Sequence, residues 1–345
     1  MTANEIPDGA LRAGLAVGLG KPAAQITRTD LQSELLHLDI SKKGVRRLAG
    51  LHLASRLRSL RANQNPLTST VAIAEMPALE RLELDDCELF TLRVDDMPML
   101  KTLYARNNLI EDVRDLRHAP RLSELHLDGN PIDDNVANDI GSLFNLNIIS
   151  LNNTAVTDVS AFRRLARIEH VYLRHTYVHD LTVFATMPSL RTLDIRNTYV
   201  TDLAPLVANP RLGDGDRILA NGLALNEESI CTHIPALRNR GVIIEHEREC
   251  AGATIVNTAA PGQTGTATLS RIGSANELYV DFDYTGISDG SRLRPLNLLS
   301  AAAQYLEPGG TIRLIAGASN EYVILSEPMI LVSENGVARG GNKKP

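Results

Sequence analysis

Residue types that could carry chemistry are few in this chain and do not converge. His170, His175 and His179 lie within one ten-residue stretch, and imidazole is the commonest metal ligand. A zinc site, however, needs its donors aimed at one point, whereas these three are expected on a strand face, in a turn and on the return from it. Asp281, Asp283, Thr285 and Asp289, with Gly286 sixth in the run, open like a calcium-binding EF-hand loop. Arg292 stands at the twelfth place, where a bidentate Glu must close the cage, so the stretch reads as an Asp/Gly turn. Asp214-Gly215-Asp216 carries still fewer ligands, and the pairs Asp95-Asp96 and Asp133-Asp134 fall between regular elements, where a solvated charge is the ordinary outcome. No phosphate-cradling glycine loop, nucleophile elbow or H-E-x-x-H pair occurs. The sequence therefore predicts no catalytic residue, no metal and no cofactor. Cys87, Cys231 and Cys250 are odd in number and match no metal-ligand or disulfide spacing, so they read as free thiols.

What does recur is an apolar frame, L-x-x-L-x-L-x-x-N-x-L, starting at Leu35, Leu57, Leu79, Leu100, Leu122, Leu146, Ile168 and Leu190, with steps of 21 to 24 residues. Its clearest copy runs from Leu122 through Leu125, Leu127 and Asn130 to Ile132. The second and third apolar positions are two residues apart, so on a short strand they point to the same side, and their neighbours point to the other. Strands that bury one face only must stack in parallel to make a core, and the rest of each repeat returns along the convex side. This predicts an α/β repeat fold, a right-handed leucine-rich-repeat solenoid of about 22-residue repeats with a parallel concave sheet. So short a period leaves room for 3₁₀ or irregular returns, with more helix in the longer copy near Asn135 to Leu143. At the ninth position the chain turns and exposes backbone groups that need partners. Asn65, Asn108, Asn130, Cys87, Thr154, Thr176 and Thr198 stand there, with Lys43 in the first copy, so Cys87 is a member of this internal ladder.

The outward residues form two rows on the concave wall. The fifth positions carry Asp39, Arg61, Glu83, Tyr104, His126, Ser150, Tyr172 and Asp194. Two residues on come Ser41, Asn63, Asp85, Arg106, Asp128, Asn152, Arg174 and Arg196. Tyr and Arg are the types that dominate binding hot spots, and concave solenoid faces are binding surfaces. The expected contact residues are Arg61, Glu83, Tyr104, Arg106, His126, Asp128, Ser150, Asn152, Tyr172, Arg174, Asp194 and Arg196. A net charge of -6 offers no basic stripe for a phosphate backbone, so nucleic acid is not an expected partner. The expected partner is a protein, with carbohydrate as the other ligand class weighed. No apolar run approaches the ~18 residues of a membrane span. The opening stretch has neither a basic leader nor an apolar run of signal-peptide length, and reads as soluble and without an export signal.

Both ends of a stack need covers. Asp8 as N-cap, Leu11, Leu15 and Leu19 at four-residue steps, and Gly20 as stop predict a capping helix within residues 1–34. The frame loses phase after Leu206, and a helix over 226–241 followed by a strand at Val242 to Ile244 closes the solenoid, giving it residues 35–247. With Ile6-Pro7-Asp8 and Leu11-Arg12 at the opening and this short period, residues 5 to 247 resemble bacterial internalin-like leucine-rich-repeat proteins. The resemblance implies a cell-surface or extracellular protein that binds host or envelope proteins. A cytoplasmic scaffold is the alternative that suits a chain read as lacking an export signal.

Residues 248–276 are rich in Ala, Gly, Thr and Ser without periodicity and read as a linker. Over 277–345, Leu278 to Phe282 alternates as a strand, Pro295 to Leu306 has helix spacing, and Thr311 to Ile315, Tyr322 to Leu325 and Met329 to Val332 are β-prone runs between turns. With Asp289-Gly290-Ser291 and Pro295 before the helix and Gly309-Gly310-Thr311-Ile312 after it, this small, mostly β module resembles the first rung of a parallel β-helix of the pectin-lyase-like kind. That implies an alternative role, as the recognition part of a carbohydrate-active or adhesive protein.

Overall fold

The apolar frame becomes strand wherever it recurs. The computed structural model describes residues 5–67, 76–94, 97–248, 250, 275–281, 306–316 and 330–333. Its main sheet contains β1 (His37–Asp39), β2 (Ser59–Arg61), β3 (Arg81–Glu83), β4 (Thr102–Tyr104) and β5 (Glu124–His126). It continues through β6 (Ile148–Ser150), β7 (His170–Tyr172), β8 (Thr192–Asp194), β9 (Arg217–Leu219) and β10 (Ile243–Glu245), all parallel and in chain order. The register pairs Leu38, Leu60, Leu82, Leu103, Leu125, Ile149, Val171, Leu193, Ile218 and Ile244 in one column, and every member is buried. The leucine-rich-repeat solenoid is thus the fold, built by a column of aliphatic side chains two residues out of phase with a second column running from Ile40 to Ile195.

Strand β9 was not expected. Leu212 opens its repeat, but Gly213 to Asp216 interrupt the frame before Ile218 and Ala220 resume it. Asp216 holds that insertion by accepting the Gly213 N–H at 2.9 Å.

The ladder at the ninth position comes in two forms. Asn65, Asn108 and Asn130 reach across to the preceding repeat as well as back into their own. Asn65 accepts from the Lys43 and Val45 N–H groups and donates to the Ile40 and Ala62 carbonyls. Thr154, Thr176 and Thr198 each donate once, at 2.7 Å, to the carbonyl three residues back. The Cys87 thiol fills its place by facing the Ala62 and Asp85 carbonyls.

The residue before each ladder position turns left-handed, as at Asn107, Asn153, His175 and Asn197, with φ between 53° and 56°. Gly129 supplies that turn in the clearest repeat, and a Cβ there would lie 2.5 Å from the Asn107 side chain.

Short 3₁₀ returns at Leu51–Leu53, Arg114–His118, Ser160–Arg164 and Thr182–Thr186 line the convex side, with one helix, α3 (Asp134–Ile140), in the longer copy. Each return buries at least one side chain, Phe162 and Phe184 being the largest. Asp133 caps α3, and Asp134 accepts from Thr157 and Asp158 of the next repeat, so this acidic pair is structural rather than merely solvated. Asp95 and Asp96 lie outside the described residues.

At the front, α1 (Gly9–Leu19) is capped by Asp8 and stopped by Gly20, with Leu11 and Leu15 buried against β1 and its neighbours. A Cβ on Gly14 would fall 2.4 Å from Ile40, so only glycine lets the cap approach this closely. A second cap element, α2 (Arg28–Ser33), carries a complete capping box between Thr27 and Asp30. At the rear, α4 (Ala204–Ala208), a π-helical turn at Ser229–His233 and α5 (Ile234–Asn239) lead to β10.

The expectation of three free thiols is corrected here. Cys231 and Cys250 are joined in a disulfide with their Cα atoms 4.8 Å apart, leaving Cys87 as the free and buried thiol. Spacing alone does not reveal this pairing, because it depends on how closely the two Cα atoms approach in space.

By contacts the chain divides into two units, 1–229 with 233–247, and 230–232 with 248–345. In the second, β11 (Ala275–Asp281), β12 (Leu306–Ala316) and β13 (Ile330–Ser333) form a parallel sheet in that order. They overlap three of the expected β runs, with β11 beginning at Ala275, inside the stretch expected as linker, and β12 beginning five residues before Thr311. The expected helix over Pro295 to Leu306, apart from Leu306, which begins β12, the run Tyr322 to Leu325 and all but the first residue of the Asp281 to Asp289 turn lie outside the described residues.

Candidate concave binding site

Since side chains alternate along a strand, the third, fifth and seventh positions of every repeat share the concave wall. The third-position row, including Arg81, Glu124 and Ile148, escaped the two-row sequence reading, His170 apart, although the same period of two applies to it. It supplies the acid that organises the wall. Glu124 accepts from the Tyr104 hydroxyl at 2.5 Å and lies 3.0 Å from the His126 Nε2.

Register places Tyr104 directly beside His126 on the next strand, and their rings stack with centroids 4.3 Å apart and planes within 5°. Arg81 and Arg106 cover the tyrosine ring at 4.7 and 5.2 Å, the geometry of cation–π attraction. Burial, followed by the adjacent Glu124 carboxylate, raises the Tyr104 pKa above the usual phenol value. Burial also pushes Glu124 upward, but its bonds to Tyr104 and His126 outweigh this and hold it below the usual carboxylate value. Tyr104 therefore stays a neutral donor and Glu124 a charged acceptor at neutral pH.

Around this stack the charges are mutually satisfied. Arg61 and Arg81 both bind Glu83, at 3.0 and 2.7 Å. Arg106 forks onto Asp85 through Nε and Nη2, and Arg196 onto Asp194. Asp128 accepts from the Ser150 hydroxyl and the Asn152 N–H.

The wall encloses a shallow concavity of about 680 Å³ that reaches from Asp85 and Asp86 past β5 to β8 and ends at Leu219. Of the expected contact residues, Arg106, His126, Asp128, Ser150, Asn152, Tyr172, Arg174, Asp194 and Arg196 line it, while Arg61, Glu83 and Tyr104 stand on the wall beyond its lining. Glu83, Ser150 and Asp194 are buried beneath their neighbours, so their oxygens hold other side chains in place. The histidines do not gather: His170 projects from β7, His175 occupies the left-handed turn near Asn197, and His179 lies on the return. Among the described residues no group of three or more His, Cys, Asp or Glu is placed to hold a metal ion, and no helix is long and apolar enough to cross a membrane.

No protein-family model matches this sequence, and no curated protein does. Solved structures with the same fold are found. An internalin (inlF) from Listeria monocytogenes superimposes with a TM-score of 0.52 at 18% identity, covering 71% of this chain and 92% of that one. Internalin C2 from the same organism gives 0.51 at 20% identity, covering 70% and 94%. These likenesses concern the solenoid fold, and they lend nothing to the β-helical rung expected of the C-terminal module.

Proposed function

We propose that this chain is a non-catalytic binding protein whose concave face holds a segment of another protein. The observation that carries the reading is the wall itself, where aromatic and charged side chains from consecutive strands are fixed by one another around an open concavity. A preformed surface of this kind loses little side-chain entropy on binding. Tyr and Arg are also the residue types that supply most interface energy. The internalin-like fold is in keeping with this role. The parallel order of β11 to β13 is in keeping with a β-helical rung as well, but no feature of the concave wall favours carbohydrate over protein.

The test is affinity capture from extracts of the source organism and its surroundings, comparing the natural protein with a Tyr104→Ala/Tyr172→Ala variant and a convex-side Arg163→Ala/Arg164→Ala control. Partners kept by the control and lost by the concave variant are the expected result. Retention of the same partners by both variants would refute the concave assignment.

We also propose that the protein works at the cell surface or outside the cell. The Cys231–Cys250 disulfide supports this, because such bonds persist in oxidising compartments and are rare in reducing ones. Thiol alkylation after rapid acid quenching of intact cells should find Cys87 alone modifiable once the protein is unfolded. Modification of all three cysteines would place the chain in a reducing compartment.

A further inference from the structure

The concave wall contains the same pair of side chains twice. Tyr104 and Arg106 stand two residues apart on β4 and just past its end, and Tyr172 and Arg174 do the same on β7. In the first copy each group already holds a carboxylate from a neighbouring strand. Glu124 takes the tyrosine hydroxyl at 2.5 Å, and Asp85 takes the guanidinium at 2.7 and 3.1 Å.

In the second copy neither group is matched in this way. Arg61, Arg81, Arg106, Arg196 and Arg217 each have a carboxylate within 3.0 Å. Arg174 is exposed, and among the described residues no carboxylate comes within ion-pair distance of it. The register explains the difference. Ser150 and Asn152 on the β6 side are neutral, and Asp194 on the β8 side is already claimed by Arg196. Tyr172 and Arg174 both line the concavity, with Ser150 and Asn152 beside them.

Given the concave reading above, we infer that the partner segment presents a carboxylate side chain, Asp or Glu, which Arg174 receives as an ion pair and Tyr172 as a hydroxyl donor. The chain's own β3–β5 region displays the same groups satisfied by the same chemistry. An exposed arginine in water is ordinary when it stands alone. Here it is the concave guanidinium left over after its peers have been neutralised, and it faces into the cleft beside a half-buried phenol. Charge-assisted bonds of this type are the strong ones, and arginine's fork matches a carboxylate.

The test uses a display library of random twelve-residue peptides, selected in parallel on the full chain, on R174Q and on an Arg106→Ala/His126→Ala variant of the same face. Peptides recovered on the natural protein should share an Asp or Glu at a fixed place. A synthetic copy should bind R174Q about tenfold or more weakly, as expected for loss of one charge-assisted contact. Changing its acidic residue to the amide should cost the natural protein the same and cost R174Q nothing further. Peptides without a shared acidic residue, or bound equally by R174Q, would overturn the inference. If those peptides still depend on Arg106 and His126, the concave reading survives without it. Binding indifferent to both variants, or no enrichment over a blank surface, would count against both.

Discussion

Replacing Asn108 by threonine separates the two kinds of rung in the internal ladder. Asn108 accepts the N–H groups of Cys87 and Leu89, each at 3.0 Å, and donates to the Leu84 and Ala105 carbonyls at 2.8 and 3.0 Å. A threonine in its place can keep the bond back into its own repeat, as Thr154, Thr176 and Thr198 do. It cannot span to both amides of the preceding turn, which are buried with Cys87 and Leu89. Leaving a buried donor unsatisfied costs about 1 to 3 kcal/mol. Two such donors put the loss for Asn108→Thr at about 2 to 6 kcal/mol. Thr176→Val removes a single bond, worth about 1 kcal/mol. Urea titration followed by circular dichroism measures both. Because repeat arrays can open piecewise, amide exchange at Cys87 and Leu89 supplies the local reading, and protection there should fall with Asn108→Thr alone. If Asn108→Thr cost under about 1 kcal/mol, or no more than Thr176→Val, the asparagine rungs would not be bridging repeats as described.

Leu125→Ala opens the buried column at its middle and should cost about 2 to 5 kcal/mol by urea titration, a loss under about 0.5 kcal/mol being incompatible with full burial. Reduction of the Cys231–Cys250 bond, which spans 19 residues, should lower the unfolding free energy by roughly 3 kcal/mol on the chain-entropy account. In the native protein Cys87 should resist alkylation, since burial pushes its thiol up to about 11 and the reactive thiolate is scarce. Rapid labelling of the folded chain would refute its place in the ladder. Acid should weaken the front cap. Burial raises the Asp8 pKa, but bonds from the Leu11, Arg46 and Arg47 N–H groups outweigh it and leave the group below its usual 3.8. Its contribution is present above that value and lost as pH falls through it toward the lower folded value. Asp8→Asn should flatten the stability slope over that range, and an unchanged slope would show that the carboxylate does not act there.

The solenoid was legible because a period of about 22 residues with two inward positions admits one economical stacking. Leu103, Leu125, Ile149 and Val171 fall into the column that the frame required. Strand β9 was not legible, since three inserted residues moved Ile218 out of phase while leaving its burial intact. The disulfide was hidden for a related reason: no sequence spacing reports that Cys231 and Cys250 approach within 4.8 Å. On the concave face the residue types could be read but their pairings could not. Asp85 serves an arginine on the next strand, whereas Asp194 serves one on its own, and only rotamers within the register decide between them. Glu124 shows the sharper lesson, because alternation placed it on the wall and its partners made it central.

On the proposed concave reading, those pairings divide the face into two halves that should play different parts in binding. Around Tyr104, stacking on His126, two covering guanidinium groups and the bond to Glu124 fix every ring and charge in advance. Such a group can offer shape and apolar area at small entropic cost, but its charges are already spent on one another. Among the described residues Arg174 lacks the carboxylate partner that holds Arg106, so on the proposed concave reading discrimination among ligands should fall to the half around Tyr172 and Arg174. Truncating Tyr104 should therefore weaken all partners by similar factors, whereas changing Arg174 should reorder them. A set of ligands whose affinities fell in parallel for both substitutions would show that the two halves do not divide the work in this way.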